Sequence, residues 1–283
     1  MKTILLQALR GWYAVPAFNF YNLESMKAIL DAASAAKAPV ILAASESAMK
    51  YMGDGFLRWV ASSGNYLHLD HGRTFEACKH AISLGFPSVM IDGSHLPFKE
   101  NVKLTKRVVD YAHKRGVLVE AELGILAGVE DDIKNARGAY TDPSEAAEFV
   151  RLTGCDSLAI AIGTSHGAYK GAAKLQFDIL KEIRALLPKT PLVLHGASRI
   201  PAEYTKVLGL ARAGGISAAD IKRAIKLGIN KVNIDSDARL AWAATMKQMF
   251  AKKSDNFDPR HYLGAATAEM TALYKREIGL IVG

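Results

Sequence analysis

The sequence predicts an α/β chain folded as one (β/α)8 TIM barrel spanning residues 1–283, with extra helices at its two ends. Three observations lead there. Short apolar runs alternate with amphipathic segments along the whole chain. Eight of those runs read as strands, the number that closes such a barrel. The 283 residues, half of them hydrophobic, match the usual length of that fold and show no linker or shift in composition.

The elements follow in order. Met1–Arg10 reads as an amphipathic helix, its apolar stretch too short and too soon followed by Arg10 for a signal peptide. The strands are Ala14–Phe20, Val40–Ser45, Tyr66–His71, Ser88–Asp92, Val117–Leu123, Ser157–Gly163, Leu192–Gly196 and Lys231–Asp235. Most are near-continuous apolar runs, as parallel strands covered on both faces should be. Between them, Phe75, Cys78 and Ile82 share a helical face before Gly85. Asp142-Pro-Ser-Glu145 supplies a helix cap, a proline at the first helical position and a carboxylate in the first turn, and Gly154 stops that helix. Ile179, Ile183 and Leu186 form the next expected apolar face. Ser217 opens a helix that Gly228 closes. Two helices follow the last strand, near 238–252 and 262–277, joined by the polar loop 254–260. A doubly wound open sheet is the rival architecture; the first strand lacks the G-x-G-x-x-G turn it would want.

Composition narrows the function. The formal charge of +8 is spread along helical segments rather than clustered with aromatics, which argues against nucleic acid and suits small anionic substrates. No apolar run reaches the roughly 18 residues of a membrane span. Cys78 and Cys155, without a Cys-x-x-Cys partner, read as buried hydrophobes in a reducing cytoplasm.

Three segments end on a histidine: Tyr66–His71, Ser157–His166 and Pro191–His195. In a barrel the chemistry gathers where strands end. Three imidazoles delivered there, with a position left open, make a catalytic zinc site, and Asp70 beside the first suggests metal-assisted proton transfer. His68 is a neighbour inside the strand, and His95 is the one competing ligand; His80, His113 and His261 read as solvated. Other polar residues at strand ends are Asn19, Ser45, Asp92, Glu120 and Glu122. Gly196-Ala-Ser198 and Asn233-Ile-Asp-Ser236 are candidate phosphate loops in the corner where this fold often binds phosphate. The glycine-bounded stretch Gly124–Asp132, with acids at 130, 131 and 132, reads as a lid carrying a mobile general base.

Six motifs in one order carry a resemblance: His68-Leu-Asp-His71, Met90-Ile-Asp-Gly-Ser94, Glu120-Ala-Glu-Leu-Gly124, Ala161–Gly167, Leu194-His-Gly-Ala-Ser198 and Lys231–Asp237. Nearly the whole chain resembles the class II, zinc-dependent fructose-1,6-bisphosphate aldolases and their tagatose-bisphosphate relatives. The resemblance implies a metal-dependent aldehyde-lyase that reversibly cleaves fructose-1,6-bisphosphate to dihydroxyacetone phosphate and glyceraldehyde 3-phosphate, as in glycolysis and gluconeogenesis. It implies zinc on His71, His166 and His195, with Asp70 as acid/base at the C4 hydroxyl. Glu130 would exchange the proton on the dihydroxyacetone phosphate carbon. Asp92 and Glu122 would orient ligands or hold an alternative metal position. Gly167, Gly196, Ser198, Asn233 and Ser236 would bind the triose phosphate, with a monovalent cation (Na+ or K+) near Gly167 and Ser198. Asn19, Ser45 and Lys170 complete the expected substrate contacts. Asp235 and Arg239 resemble the fructose-type pattern, and Arg260 an arginine that reaches the distal phosphate, often of a neighbouring subunit in a homodimer or homotetramer. Arg199 departs from the family's small residue there and either crowds the loop or adds a phosphate contact. The segments 53–65 and 132–139 are shorter than usual. A tagatose-1,6-bisphosphate aldolase, a zinc-binding scaffold without turnover and a metal-free phosphosugar isomerase are the alternatives.

Overall fold

A computed structural model describes residues 1–125, 127–130, 133–135, 138–166, 174–211, 214–252 and 255–283, with the backbone alone at 127–130, 133–135 and 166. The strands in chain order are β1 (Val15–Asn19), β2 (Ile41–Ser45), β3 (Leu67–Gly72), β4 (Ser88–Ile91) and β5 (Leu118–Leu123), then β6 (Ala127–Glu130), β7 (Ile133–Asn135), β8 (Ser157–Ile160), β9 (Ser165–His166), β10 (Leu192–Leu194) and β11 (Ile229–Ile234). The helices are α1 (Lys2–Gly11), α2 (Leu23–Ala36), α3 (Glu46–Met52), α4 (Asp54–Ser62), α5 (Phe75–Ser83) and α6 (Phe98–His113), then α7 (Pro143–Thr153), α8 (Phe177–Leu186), α9 (Ala202–Leu208), α10 (Ala218–Lys226), α11 (Ser236–Ala251) and α12 (Pro259–Val282).

Eight strands close the barrel in the order β1-β11-β10-β8-β5-β4-β3-β2. Their pairings are parallel, and each expected strand is present within a few residues of its expected ends. Helices α1 and α12 are the extra terminal elements. The caps read from the sequence form: the Asp142 carboxylate accepts the Glu145 N–H, Gly154 ends α7 in the left-handed region, and Ser217 caps α10. The main core lies between the strands and the outer helices, where Phe18, Leu42, Leu69, Val89, Val119 and Leu158 are buried. Inside the barrel, Met90, Ala159 and Val193 form a small apolar layer.

Three local expectations change. The buried face of α8 is Leu180–Ile183 with Leu187 beyond it, while Leu186 is 51% exposed. Two overlapping apolar stripes run along that segment, and the barrel selects the other one. Helices α3, α4 and α9 are short and carried no long periodic signal. The stretch after β5, read as a lid, contains strands: β6 pairs antiparallel with β7 and parallel with β9, forming a small second sheet.

Candidate active site

A regular strand sends consecutive side chains to opposite faces. On β3, His68 and Asp70 point into the barrel, so His71 would by default point outward. The pairing of β3 with β4 shifts register between Leu69 and Gly72, and His71 takes a φ of 47°. A left-handed conformation is uncommon for a residue with a side chain and collects at functional sites. Here it lets neighbours 70 and 71 converge. Gly72 permits the bend, because a Cβ there would lie 2.6 Å from the Met90 carbonyl oxygen.

His71 and His195, from opposite sides of the barrel mouth, meet with Nε2 and Nδ1 2.9 Å apart. Each ring is fixed from behind by a carboxylate. His71 Nδ1 donates to Asp92 Oδ2 at 3.0 Å, with Glu122 Oε2 at 3.6 Å; His195 Nε2 donates to Glu120 Oε1 at 3.0 Å. With those protons committed, the two facing nitrogens both present lone pairs. Two lone pairs at that distance call for a cation between them or a shared proton. Burial holds His195 below its ordinary value and therefore neutral, the form that ligates metal. Ligand atoms of Asp70, His71 and His195 all lie within 4.8 Å of one another, as do those of His71, Asp92 and Glu122. The donor set thus fits a divalent metal of the kind that imidazole favours, with carboxylate-backed histidines as such sites require. Burial alone would raise Asp92; the hydrogen bonds from His71 and Ser94 outweigh it and hold that carboxyl below the usual range.

Behind His195 lies a buried polar chain. Lys231 Nζ sits 2.8 Å from both oxygens of Glu120 and donates to His68 Nε2 at 3.2 Å. His68 Nδ1 in turn donates to Ser88 Oγ at 2.8 Å. Burial, then the Lys231 charge, lowers His68 to about 3, so its ring is neutral. For Glu120, burial would raise the carboxyl, but Lys231 ahead of the other neighbours keeps it ionised.

Asp70 is clamped from two further strands. Asn19 Nδ2 donates to Oδ2 at 2.8 Å and Asn233 Nδ2 to Oδ1 at 2.9 Å. The barrel thus brings together Asn19, Asp70, His71, Asp92, Glu122, His195 and Asn233. Ser45 stands in register with Asp70 and caps α3 with its hydroxyl.

His166 lies six residues past the end of β8, in β9, rather than at a barrel strand end. Its backbone neighbour Ser165 packs on Gly196, where a Cβ would come within 2.5 Å of the Ser165 carbonyl oxygen and φ is 62°. The side chains of His166 and Glu130, and residues Gly167 and Lys170 altogether, are outside the described residues.

At the phosphate corner Ser198 is buried, and no side chain caps α11, which begins at Ser236. Such a helix end is suited to an anion. Asp235 stands before it without capping it, its two oxygens instead pairing with Arg239 at 2.9 and 2.8 Å. Arg199 neither crowds the loop nor faces it: its guanidinium meets Glu277 of α12 at 3.0 Å. The backbone N–H groups of Arg199 and Ile200 are bound by Asp237, which holds Ile200 at a φ of 52°. Arg260 is exposed and bonded to Asp258, and among the described residues no bond joins it to the site. His95 is exposed and belongs to neither ligand cluster, while His80 pairs with the exposed Asp54 and His113 with the half-buried Asp156.

The sequence reading gave Glu120 and Lys231 no role beyond strand positions. A lysine and a glutamate inside otherwise apolar strands were the available signal, since a buried charge needs a partner.

The family described as Fructose-bisphosphate aldolase class-II matches residues 1–282. The fructose-bisphosphate aldolase of Thermus caldophilus is 47% identical, covering 98% of this chain and 95% of its own, and that of Treponema pallidum 44% identical over 100% and 95%. The solved structure of the YdjI aldolase from Escherichia coli K12 superposes with a TM-score of 0.82 at 34% identity, covering 99% of this chain and 96% of its own. A putative fructose-1,6-biphosphate aldolase from Coccidioides immitis gives 0.85 at 29% identity, covering 99% and 94%.

Proposed function

The chain belongs to the class II fructose-bisphosphate aldolase family, and from that membership we propose that it cleaves fructose-1,6-bisphosphate reversibly with zinc held by His71, His166 and His195. It is a metal-dependent aldolase. One observation carries the reading: two carboxylate-backed imidazole nitrogens face each other 2.9 Å apart with Asp70 in reach.

A divalent ion bound there supplies Lewis acidity, polarising the ketone and offsetting the charge that develops as the carbon–carbon bond breaks. The chain's own groups do the rest. Asp70, with both oxygens fixed by Asn19 and Asn233, takes the proton from the C4 hydroxyl and returns it in condensation. Asp92 and Glu120 hold the two imidazoles in their ligating tautomers; Glu122 is the further carboxylate beside His71. Gly196, Ser198, Asn233, Ser236 and the uncapped start of α11 form the cradle for one phosphate, joined by Asn19, Ser45, Gly167 and Lys170. Glu130 exchanges the proton on the triose carbon. A monovalent cation near Gly167 and Ser198, Arg260 on the distal phosphate, an assembly of two or four chains and a cytoplasmic location belong to the same proposal. No described helix is long and apolar enough to cross a membrane.

Fructose- and tagatose-bisphosphate differ at C4, so discrimination falls to a few polar groups. The Asp235–Arg239 pair favours the fructose epimer in this reading. Cleavage rates on the two epimers test it: fructose-bisphosphate is expected to be the faster, and a lead for tagatose-bisphosphate would reassign the enzyme to that sugar.

A further inference from the structure

We propose that the N-terminal face of the barrel, opposite the catalytic mouth, holds a second anion site that takes a phosphate monoester. A cavity of about 610 Å³ opens between α1, α8 and the start of β11. Arg10, Trp12, Arg184, Lys189, Gly228 and Asn230 shape it, and no acid among the described residues lines it. Its floor is Arg184, only 8% exposed. That guanidinium donates through Nη2 to the Thr190 carbonyl at 2.5 Å, while Nε and Nη1 are buried without a hydrogen-bond partner. No carboxylate among the described residues pairs with it.

A buried cation without a counter-ion is costly, and proteins retain few of them. Burial alone has brought Arg184 down to about 10. The backbone makes room for this arrangement: Gly228, at a φ of 113°, lies so close that a Cβ would meet Arg184 Cδ at 2.8 Å. Asn230 is turned to the backbone instead: its Oδ1 accepts the Leu192 N–H and its Nδ2 donates to the Tyr13 carbonyl. Both guanidinium nitrogens, Nε and Nη1, are covered in this conformation, so an acceptor in the cavity meets them as the Arg184 side chain turns away from Gly228. The Arg184 guanidinium, flanked by the two further cations Arg10 and Lys189, matches a dianionic phosphate. Trp12, 57% exposed at the rim, offers a flat surface to a ring carried by the ester. Gly228 and Asn230 stand at the start of β11, whereas Asn233 and Asp235 stand at its other end, so this pocket is separate from the catalytic one.

The test titrates inorganic phosphate and AMP into the full chain and follows Trp12 fluorescence as the difference between wild type and Trp12→Phe. A saturable change is expected. In an Arg10→Ala, Lys189→Ala double variant the apparent Kd should rise by about tenfold or more, with the rate of aldol cleavage unchanged. Arg184→Met should abolish the signal; the double variant keeps the test sharp if that protein folds poorly. Equal affinity for both probes assigns the site to the phosphate group, and tighter AMP adds a ring on Trp12. No saturable change with either probe, or an unaltered Kd in the double variant, overturns the proposal.

Discussion

Lys231 donates to both oxygens of Glu120 at 2.8 Å inside the barrel, and Glu120 in turn orients His195. The ammonium is thus two hydrogen bonds from His195, one of the proposed metal ligands. Lys231→Met leaves a buried carboxylate short of its main counter-charge, which costs about 3–5 kcal/mol of stability. It should also weaken metal binding by about 10–100-fold, the usual effect of losing such support. A competition titration with a chromophoric chelator, run beside urea unfolding, reads both. Metal affinity equal to wild type would remove Lys231 from the site's architecture.

Asp70→Ala should keep the fold and the metal but lower kcat by about 10²–10⁴-fold, the range a positioned acid/base supplies. Loss of metal in step with activity would instead make Asp70 a ligand. Asn19→Ala and Asn233→Ala should each lower kcat less, since one amide clamp remains on the carboxylate.

His68 gives the pH dependence of stability. Its ring is lowered to about 3 in the folded protein, against an ordinary value of about 6.5 in the unfolded chain. Below pH 6.5 the unfolded chain gains a proton that the folded protein refuses. Stability from this group is therefore complete above pH 6.5 and is lost as pH falls toward 3, by at most about 1.4 kcal/mol per pH unit. Urea unfolding of metal-stripped protein at several pH values should show a shallower acid slope for His68→Gln than for wild type. Equal slopes would contradict the neutral, buried assignment.

Much of this was readable in the residues. The eight strands and the convergence of His71 with His195 follow from apolar runs that end on polar residues at one rim. The bend at His71 was not readable, because alternation alone sends residues 70 and 71 to opposite faces; only Gly72 hinted at it. The place of His166 was misread for a related reason: the apolar run continues past the last barrel pairing, so the end of the run is not the end of the strand. The fate of Arg199 depended on Glu277, a contact made 78 residues away that no local pattern reports.

Asp235→Ala tests specificity. A polar group left unpaired by the wrong epimer costs about 1–3 kcal/mol, roughly a tenfold to hundredfold preference. The variant removes one partner of Arg239 and should lower kcat/KM for fructose-bisphosphate while narrowing its lead over tagatose-bisphosphate. An unchanged ratio would confine Asp235 to its pair with Arg239 of α11.

The central claim is that the facing nitrogens of His71 and His195 hold the metal that cleavage needs. Its most direct test is metal content and fructose-1,6-bisphosphate cleavage measured on one sample before chelation, after chelation and after zinc is restored. One divalent ion per chain is expected, with activity lost on removal and recovered on return, and both low in His195→Ala. Full turnover by the metal-free protein, or full metal and rate in His195→Ala, would contradict the account.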